Sequence, residues 1–243
     1  MSHSNLRQHE SNSTPLDLTW TLHNRIRIAY SQCSDGATTA EGFQNWTHRL
    51  SGPNFCYFPQ QEHGQHIVVL DSNNLDLHKK ASPKADGFAT ALNVALGVWG
   101  SDCPGLVISC GDGVFGVAHC GWRGTAKRIS LALIKELQRL SPMPCHTWEA
   151  LIGPGICQNC YEVDEPVLEA YPWPAQTLVP SQDNSRRAML NLKGSIHHQL
   201  EQSGIGKIIV SDICTAEDLR MHSFRHRGRG PNQGLMAWPM MVE

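Results

Sequence analysis

The sequence has no long hydrophobic run, no excess of one charge and no His-x-His pair. Lys and Arg (20) nearly balance Asp and Glu (22) over 243 residues, giving a formal charge of −2. A nucleic-acid duplex or an anionic membrane needs a clustered cationic field, so neither is expected as a partner. The best apolar stretch, Ala89 to Trp99, contains Asn93 and falls short of the roughly 18 residues of a membrane span. The opening MSHSNLRQHESNSTP lacks both the basic start and the apolar core of a secretory signal, which predicts a cytoplasmic protein. Blue-copper and trinuclear oxidase centres draw on several His-x-His pairs, and their absence speaks against that chemistry.

What the sequence does have is nine cysteines and thirteen histidines. An odd cysteine count without a leader argues against a disulfide framework and for free thiols, a few of them in metal binding or catalysis. At roughly 100 to 200 residues per domain the chain is long enough for a sizeable core. Residues 1–17 are polar and unpatterned and read as a disordered tail, leaving 18–243 as a single domain.

Short β-rich runs recur at Ile26 to Tyr30, His66 to Leu70, Leu106 to Cys110, Val114 to His119, Ala150 to Ile152 and Lys207 to Val210. Ile129, Leu133, Leu137 and Leu140 share one face of a helix that Pro142 ends. Pro166 opens a short helix, and Leu192, Ile196 and Leu200 mark a third before Gly204. Ser31 to Thr39 and Trp173 to Arg187 carry no pattern and read as surface loops. Strands interleaved with helices, together with a tight hairpin, predict an α+β protein with mixed sheets.

That hairpin lies in Ser101 to Thr125, where Gly111-Asp112-Gly113 separates two apolar strands. A two-residue turn would put Cys103 opposite Cys120 and His119 on the other face. A three-residue turn pairs Cys110 with Val114, sets Cys103 opposite Gly121 and makes His119 its same-face diagonal neighbour. The second register is preferred, because cross-strand neighbours have Cβ atoms roughly 4.5 to 8 Å apart, close enough to share a metal or a proton. His63 in Gln60-Gln61-Glu62-His63-Gly64 is a further ligand candidate, with His66 its equal on spacing alone. One Cys and two His make three protein ligands, the count that leaves zinc a fourth, open position. In Cys120-Gly121-Trp122-Arg123-Gly124-Thr125, Arg123 at a helix start suits a phosphate, or else Thr125 caps an ordinary helix. Cys157-Gln158-Asn159-Cys160 is one CxxC without a second pair and reads as two partly buried thiols. Cys33, Cys56, Cys110, Cys145 and Cys214 receive no role.

At these residues the chain resembles the laccase-domain family. That family is also called multicopper polyphenol oxidase or peptidoglycan-editing factor, and its members are described as zinc-containing purine nucleoside phosphorylases. The matching elements are Gln61-Glu62-His63-Gly64, Asp102-Cys103-Pro104, His119-Cys120-Gly121-Trp122-Arg123-Gly124, and Ile152-Gly153-Pro154-Gly155-Ile156 with Tyr161-Glu162-Val163. Asp212, Cys214 and Thr215 followed by Ser223-Phe224-Arg225 resemble its C-terminal signature, so the match runs from about residue 54 to the end. The resemblance implies a layered α/β/β/α sandwich of mixed sheets and selects His63, Cys103 and His119 as metal ligands. It implies Zn²⁺ as cofactor, with Cu²⁺ an adventitious occupant because copper binds such ligands more tightly. It also implies phosphorolysis of adenosine, inosine and methylthioadenosine, together with hydrolytic deamination of adenosine.

Read against that chemistry, Arg123 and Arg225 are the phosphate candidates, and Cys103, Asp102 and Arg123 the catalytic ones. Deamination needs a water activated by a three-ligand zinc and a proton shuttle, for which Glu62, Asp102 and Glu162 are alternatives. Purine nucleosides and phosphate are the expected partners, and a monomer or weak homo-oligomer the expected state. The chain departs from the family in its N-terminal segment, where Ile26 to Tyr30 and SQCSDGATTAEGF replace the usual Thr-Thr-Arg element. Ser101 stands for the customary Ala, and the C-terminal Gly-Arg element is blurred in Arg227 to Gln233. Competing readings are a metal-free Cys/His hydrolase with Cys103 as nucleophile and His119 as base, a peptidoglycan-precursor editing hydrolase, and a zinc-retaining binding protein without nucleoside turnover.

Overall fold

The structure, a computed structural model, describes residues 18–37, 40–182, 186–231 and 233–240. The expected tail, residues 1–17, lies outside the described residues. In chain order the first half holds β1 (Leu18–Leu22), β2 (Ile26–Tyr30), α1 (Ala40–Arg49), β3 (Cys56–Tyr57), β4 (Ile67–Leu70), α2 (Leu75–Lys80), β5 (Gly87–Thr90), β6 (Ala95–Gly100), β7 (Gly105–Ser109) and β8 (Phe115–His119). The second half holds α3 (Trp122–Ala126), α4 (Ile129–Leu140), β9 (Glu149–Ile152), β10 (Glu162–Val163), α5 (Glu165–Leu168), β11 (Leu178–Pro180), β12 (Ala188–Leu190), α6 (Leu192–Gln202), β13 (Lys207–Val210), α7 (Phe224–Arg227) and β14 (Gln233–Pro239).

A six-stranded mixed sheet runs β13-β9-β7-β8-β5-β4, and a five-stranded one runs β1-β2-β14-β6-β3. Strand periodicity dictates how they stack, because alternate side chains leave opposite faces. From β7 and β8, Val107, Phe115 and Val117 pack on Ile28, Leu96 and Leu235 of the other sheet. Leu106, Ile108 and Ala118 face the opposite way and meet Ile129, Leu133 and Leu137 of α4 and Ile196 of α6. Each fully buried Leu or Ile contributes about 2 kcal/mol. On the outer face of the five-stranded sheet, Met236 and Trp238 pack against Trp46 and Leu50, which belong to α1 and its end. The result is the layered α/β/β/α sandwich, with helices outside two packed mixed sheets. A small third sheet, β10-β12-β11, is added at one side.

The helices follow their sequence signals. α4 stops at Leu140, two residues before Pro142, and Asn191 caps α6 by accepting the Gly194 N–H at 2.8 Å. Two expectations are corrected. Trp173 to Arg187 is not simply a surface loop: Trp173 and Thr177 are buried, the Trp173 indole donates to the Val167 carbonyl at 2.7 Å, and Leu178–Pro180 pairs with β12. Ser31, Gln32 and Ala37 are buried as well, the Ser31 N–H donating to the Gly234 carbonyl. Both segments are short and mix polar with apolar residues, so tertiary packing decides their burial. Among the described residues, no helix is long and apolar enough to cross a membrane.

Candidate metal centre and cavity

The β7–β8 hairpin adopts the three-residue turn. Gly111 and Gly113 take φ of 92° and 99°, a region open to glycine, and the Cys110 N–H donates to the Val114 carbonyl at 2.9 Å. In this register Gly105 pairs with His119 and the Cys120 N–H reaches the Pro104 carbonyl, so the ladder ends just where Cys103 begins the neighbouring loop. The thiol of Cys103 and the rings of His63 and His119 meet there, their ligand atoms all within 4.8 Å of one another. His66 stays outside this group, with Nδ1 2.9 Å from the Lys84 carbonyl.

Asp86, which sequence reasoning missed, organises the centre. It stands directly before β5, whose register with β8 places it opposite His119; the His119 N–H donates to its carbonyl at 2.7 Å. Its side chain is 1% exposed, and Oδ1 lies 3.0 Å from His119 Nδ1. The same carboxylate accepts the backbone N–H groups of Glu62, His63 and Gly64 at 3.2, 2.9 and 2.6 Å. These bonds hold the loop on which His63 adopts a left-handed φ of 58°. One buried carboxylate therefore orients two of the three donors, the usual arrangement behind a metal-ligating histidine. The signal that could have found it is the Asp-Gly step opening a strand, had β5 been separated from the apolar run that follows.

Electrostatics follow from this packing. Burial works against the Cys103 thiolate, but hydrogen bonds from His119 and His63 outweigh it and bring its pKa down to about 6. Burial also opposes a charged His119, yet Asp86 and then Cys103 hold its pKa up to about 9. Asp86 itself is pushed up by burial and pulled further down by His119 and the Gly64 N–H, so it stays ionised. The donor set, one thiolate and two imidazoles on one side of an open cavity, fits a borderline-soft ion such as zinc that keeps an open position. Gly121 is part of the fit: a Cβ there would lie 3.0 Å from Cys103 Sγ and 3.3 Å from the His63 ring.

The cavity over this centre has a volume of about 440 Å³, and Arg123, Arg225, Asp102, Trp99, Trp122, Tyr161 and Phe224 line it. Arg123 stacks over Trp122, with Cζ 4.2 Å from the ring centroid. α3 is a short turn beginning after Gly121, and Thr125 is buried inside it, so Thr125 does not cap a helix here. Arg225 lies 5.0 Å from the Tyr161 ring centroid and donates from its side chain to the Glu162 carbonyl at 2.6 Å. Of the three acid candidates, only Asp102 lines the cavity. Glu62 pairs with Lys84, and Glu162 accepts from Ser181 and Arg187. The aromatic lining was not singled out from sequence, since Trp99, Tyr161 and Phe224 come from distant segments.

A second group was missed too: Cys157, Cys160, Cys214 and Glu217 bring their ligand atoms within 4.8 Å of one another. All nine cysteines are free thiols.

A two-sheet α+β sandwich carrying a two-histidine, one-thiol centre beneath a basic and aromatic cavity defines a class of protein. The chain belongs to the family described as multi-copper polyphenol oxidoreductase laccase, whose pattern matches residues 25–243. It is 29% identical over 168 residues to adenosine deaminase RL5 from an unknown prokaryotic organism, covering 65% of this chain and 64% of that protein. It is 32% identical over 142 residues to a purine nucleoside phosphorylase of Deinococcus radiodurans, covering 55% of this chain and 53% of that protein. The chain thus spans less than two thirds of the length of either relative. The crystal structure of YlmD from Geobacillus stearothermophilus superposes with a TM-score of 0.73 at 26% identity, over 83% of this chain and 80% of that one. Despite the copper in the family description, the described residues offer one His-containing donor group, and the second group contains no histidine.

Proposed function

We propose that the protein is a zinc-dependent purine nucleoside phosphorylase with adenosine deaminase activity. The observation that carries this reading is a single cavity of about 440 Å³ that unites two guanidinium groups, four aromatic side chains and the His63–Cys103–His119 donor set. The names of the relatives, adenosine deaminase and purine nucleoside phosphorylase, support the same chemistry.

Phosphorolysis forms a bond from a phosphate oxygen to C1′ of the ribose as the bond from C1′ to the purine nitrogen breaks. The electron pair leaves with the base, which takes up the proton that hydrogen phosphate gives up as it becomes the sugar phosphate ester. Arg123, steadied on Trp122, and Arg225, steadied on Tyr161 and the Glu162 carbonyl, hold the anion in place. Trp99, Tyr161 and Phe224 give the purine apolar faces to lie against. Asp102 accepts the Thr215 hydroxyl at 2.7 Å and the Arg225 N–H at 2.6 Å, so it acts as the brace that positions Arg225. Asp86 orients His119 and His63. His63, Cys103 and His119 would hold a zinc ion, and the chemistry it would supply there is the Lewis acidity that hydrolytic deamination draws on.

Incubation with adenosine or inosine, with and without phosphate, tests the reading. Free base and ribose 1-phosphate should form only with phosphate, and adenosine should yield inosine without it. Absence of ribose 1-phosphate, together with an Arg123→Ala variant indistinguishable from the parent, defeats the phosphorylase reading.

A second reading rests on a specific geometry. Asp86, His119 and Cys103 follow one another as acid, base and thiol, with the thiolate favoured near neutrality, which also suits a metal-free Cys/His hydrolase. Metal analysis of protein purified without added metal separates the two. Zinc that disappears in Cys103→Ala supports the first, and metal-free protein alkylated at Cys103 supports the second.

A further inference from the structure

Two short segments distant in sequence meet beside the cavity, each carrying two potential ligands three residues apart. Cys157 precedes and Cys160 ends the turn Gln158–Cys160, and the Cys160 N–H donates to the Cys157 carbonyl at 3.2 Å. Cys214 and Glu217 lie on a helical turn after β13, closed by the Glu217 N–H to the Cys214 carbonyl at 3.3 Å. A parallel bridge between Gly155 and Cys214 holds the two segments side by side. Across them the Cys157 N–H points at Cys214 Sγ, 3.3 Å away, and Cys160 Sγ lies 3.6 Å from Glu217 Oε1.

We infer that Cys157, Cys160, Cys214 and Glu217 form a second, structural zinc site, distinct from the His63–Cys103–His119 centre. Two x₂-spaced pairs on facing loops are the pattern by which proteins build closed four-ligand zinc sites, and all four donor atoms already lie within 4.8 Å of one another. A tetrahedron with Zn–S bonds near 2.3 Å has edges of about 3.8 Å, so only a small contraction closes it. A disulfide would use two of the three thiols and leave the third, with Glu217, unexplained. The surroundings offset the charge that three thiolates and a carboxylate leave on zinc. Lys193 Nζ donates to the Ser211 and Ile213 carbonyls just before Cys214, and Arg227 donates to the Ala216 carbonyl between Cys214 and Glu217.

The site has work to do. Cys160 precedes Tyr161 in the cavity wall, and Cys214 precedes Thr215, whose hydroxyl holds Asp102 and through it Arg225. Zinc here would lock together the two segments that carry one side of the cavity.

The inference is tested by elemental analysis of the full chain, expressed and purified in reductant without chelator. The parent should hold two zinc ions per chain, and Cys103→Ser should hold one. Reconstituting Cys103→Ser with Co²⁺ should give thiolate-to-cobalt charge-transfer absorption and tetrahedral ligand-field bands. Glu217→Ala changes only an exposed side chain and should keep the fold while binding Co²⁺ at least tenfold more weakly in the Cys103→Ser background. One zinc per chain in the parent falling to none in Cys103→Ser overturns the inference. So does a disulfide among Cys157, Cys160 and Cys214 found by mass spectrometry after alkylation under denaturing conditions.

Discussion

His119 Nδ1 sits 3.0 Å from Asp86 Oδ1, and the same carboxylate caps the backbone of the loop that presents His63. The two histidines of the candidate metal centre are therefore set by one buried residue that does not line the cavity. Replacing Asp86 by Asn keeps a side chain of similar shape but removes the charge that favours a donating Nδ1–H. Zinc affinity, measured by chelator competition, should fall by about 10- to 100-fold. Asp86→Ala also strips the acceptor from three backbone N–H groups and should lower stability by about 3 kcal/mol or more, read from denaturant unfolding.

Cys103 and His119 also predict a pH signature for the metal-free protein. With pKa values of about 6 and about 9, the thiol is ionised and the imidazole protonated through the neutral range. Iodoacetamide should modify Cys103 at a rate that is already at its plateau near pH 8 and declines as pH falls through about 6. An ordinary thiol would still be gaining reactivity at pH 8. A zinc ion bound as proposed would displace the His119 proton in that same range, so binding should release about one proton and strengthen about tenfold per pH unit between pH 6 and 9. Calorimetry in buffers of different ionisation enthalpy counts the proton directly.

Gly121 offers a steric test. Its φ of −65° suits any residue, so Gly121→Ala leaves the backbone unstrained. The added methyl instead meets Cys103 Sγ at 3.0 Å and His119 Cε1 at 3.5 Å. Chelator competition should register at least a tenfold loss of zinc affinity in a protein whose circular dichroism is unchanged.

The contrast between His119 and Asp86 explains what was legible in the sequence. Cys103 and His119 are joined by a hairpin whose glycine turn declares itself, so counting along two strands was enough to bring them together. Asp86 faces His119 across a strand pair that no turn connects, and β5 and β6 merge into one apolar run, so no register could be counted. β14 is hidden for a related reason: it is buried on both faces and lacks the alternation that marks a half-exposed strand. Cys214 joins the CxxC only through a parallel bridge between segments some sixty residues apart, a separation at which local pattern carries no information. Ser101, read as a departure from the family, has a definite task. Its hydroxyl donates to the His222 carbonyl at 2.6 Å and accepts the Phe224 N–H at 3.1 Å, tying the start of α7 to the metal loop.

Asp102 allows a proton carrier to be told apart from a brace. Both of its oxygens are engaged, by the Thr215 hydroxyl and the Arg225 N–H, and Arg225 faces the cavity from the helix held in this way. In Asp102→Asn the amide oxygen can still accept the Arg225 N–H, while the amide N–H can donate to the Thr215 oxygen. A brace thus survives the change with its bonds re-paired, whereas a proton carrier is lost outright. The expected result is a kcat within about tenfold of the parent and an unshifted pH profile, with the cost appearing in KM for phosphate. Arg225→Ala keeps the backbone N–H to Asp102 but removes the guanidinium proposed to hold phosphate, and should raise that KM by roughly 10- to 150-fold, the equivalent of about 1.5 to 3 kcal/mol. A collapse of kcat in Asp102→Asn, with loss of one limb of the pH profile and phosphate KM unchanged, would instead make Asp102 the group that moves the proton.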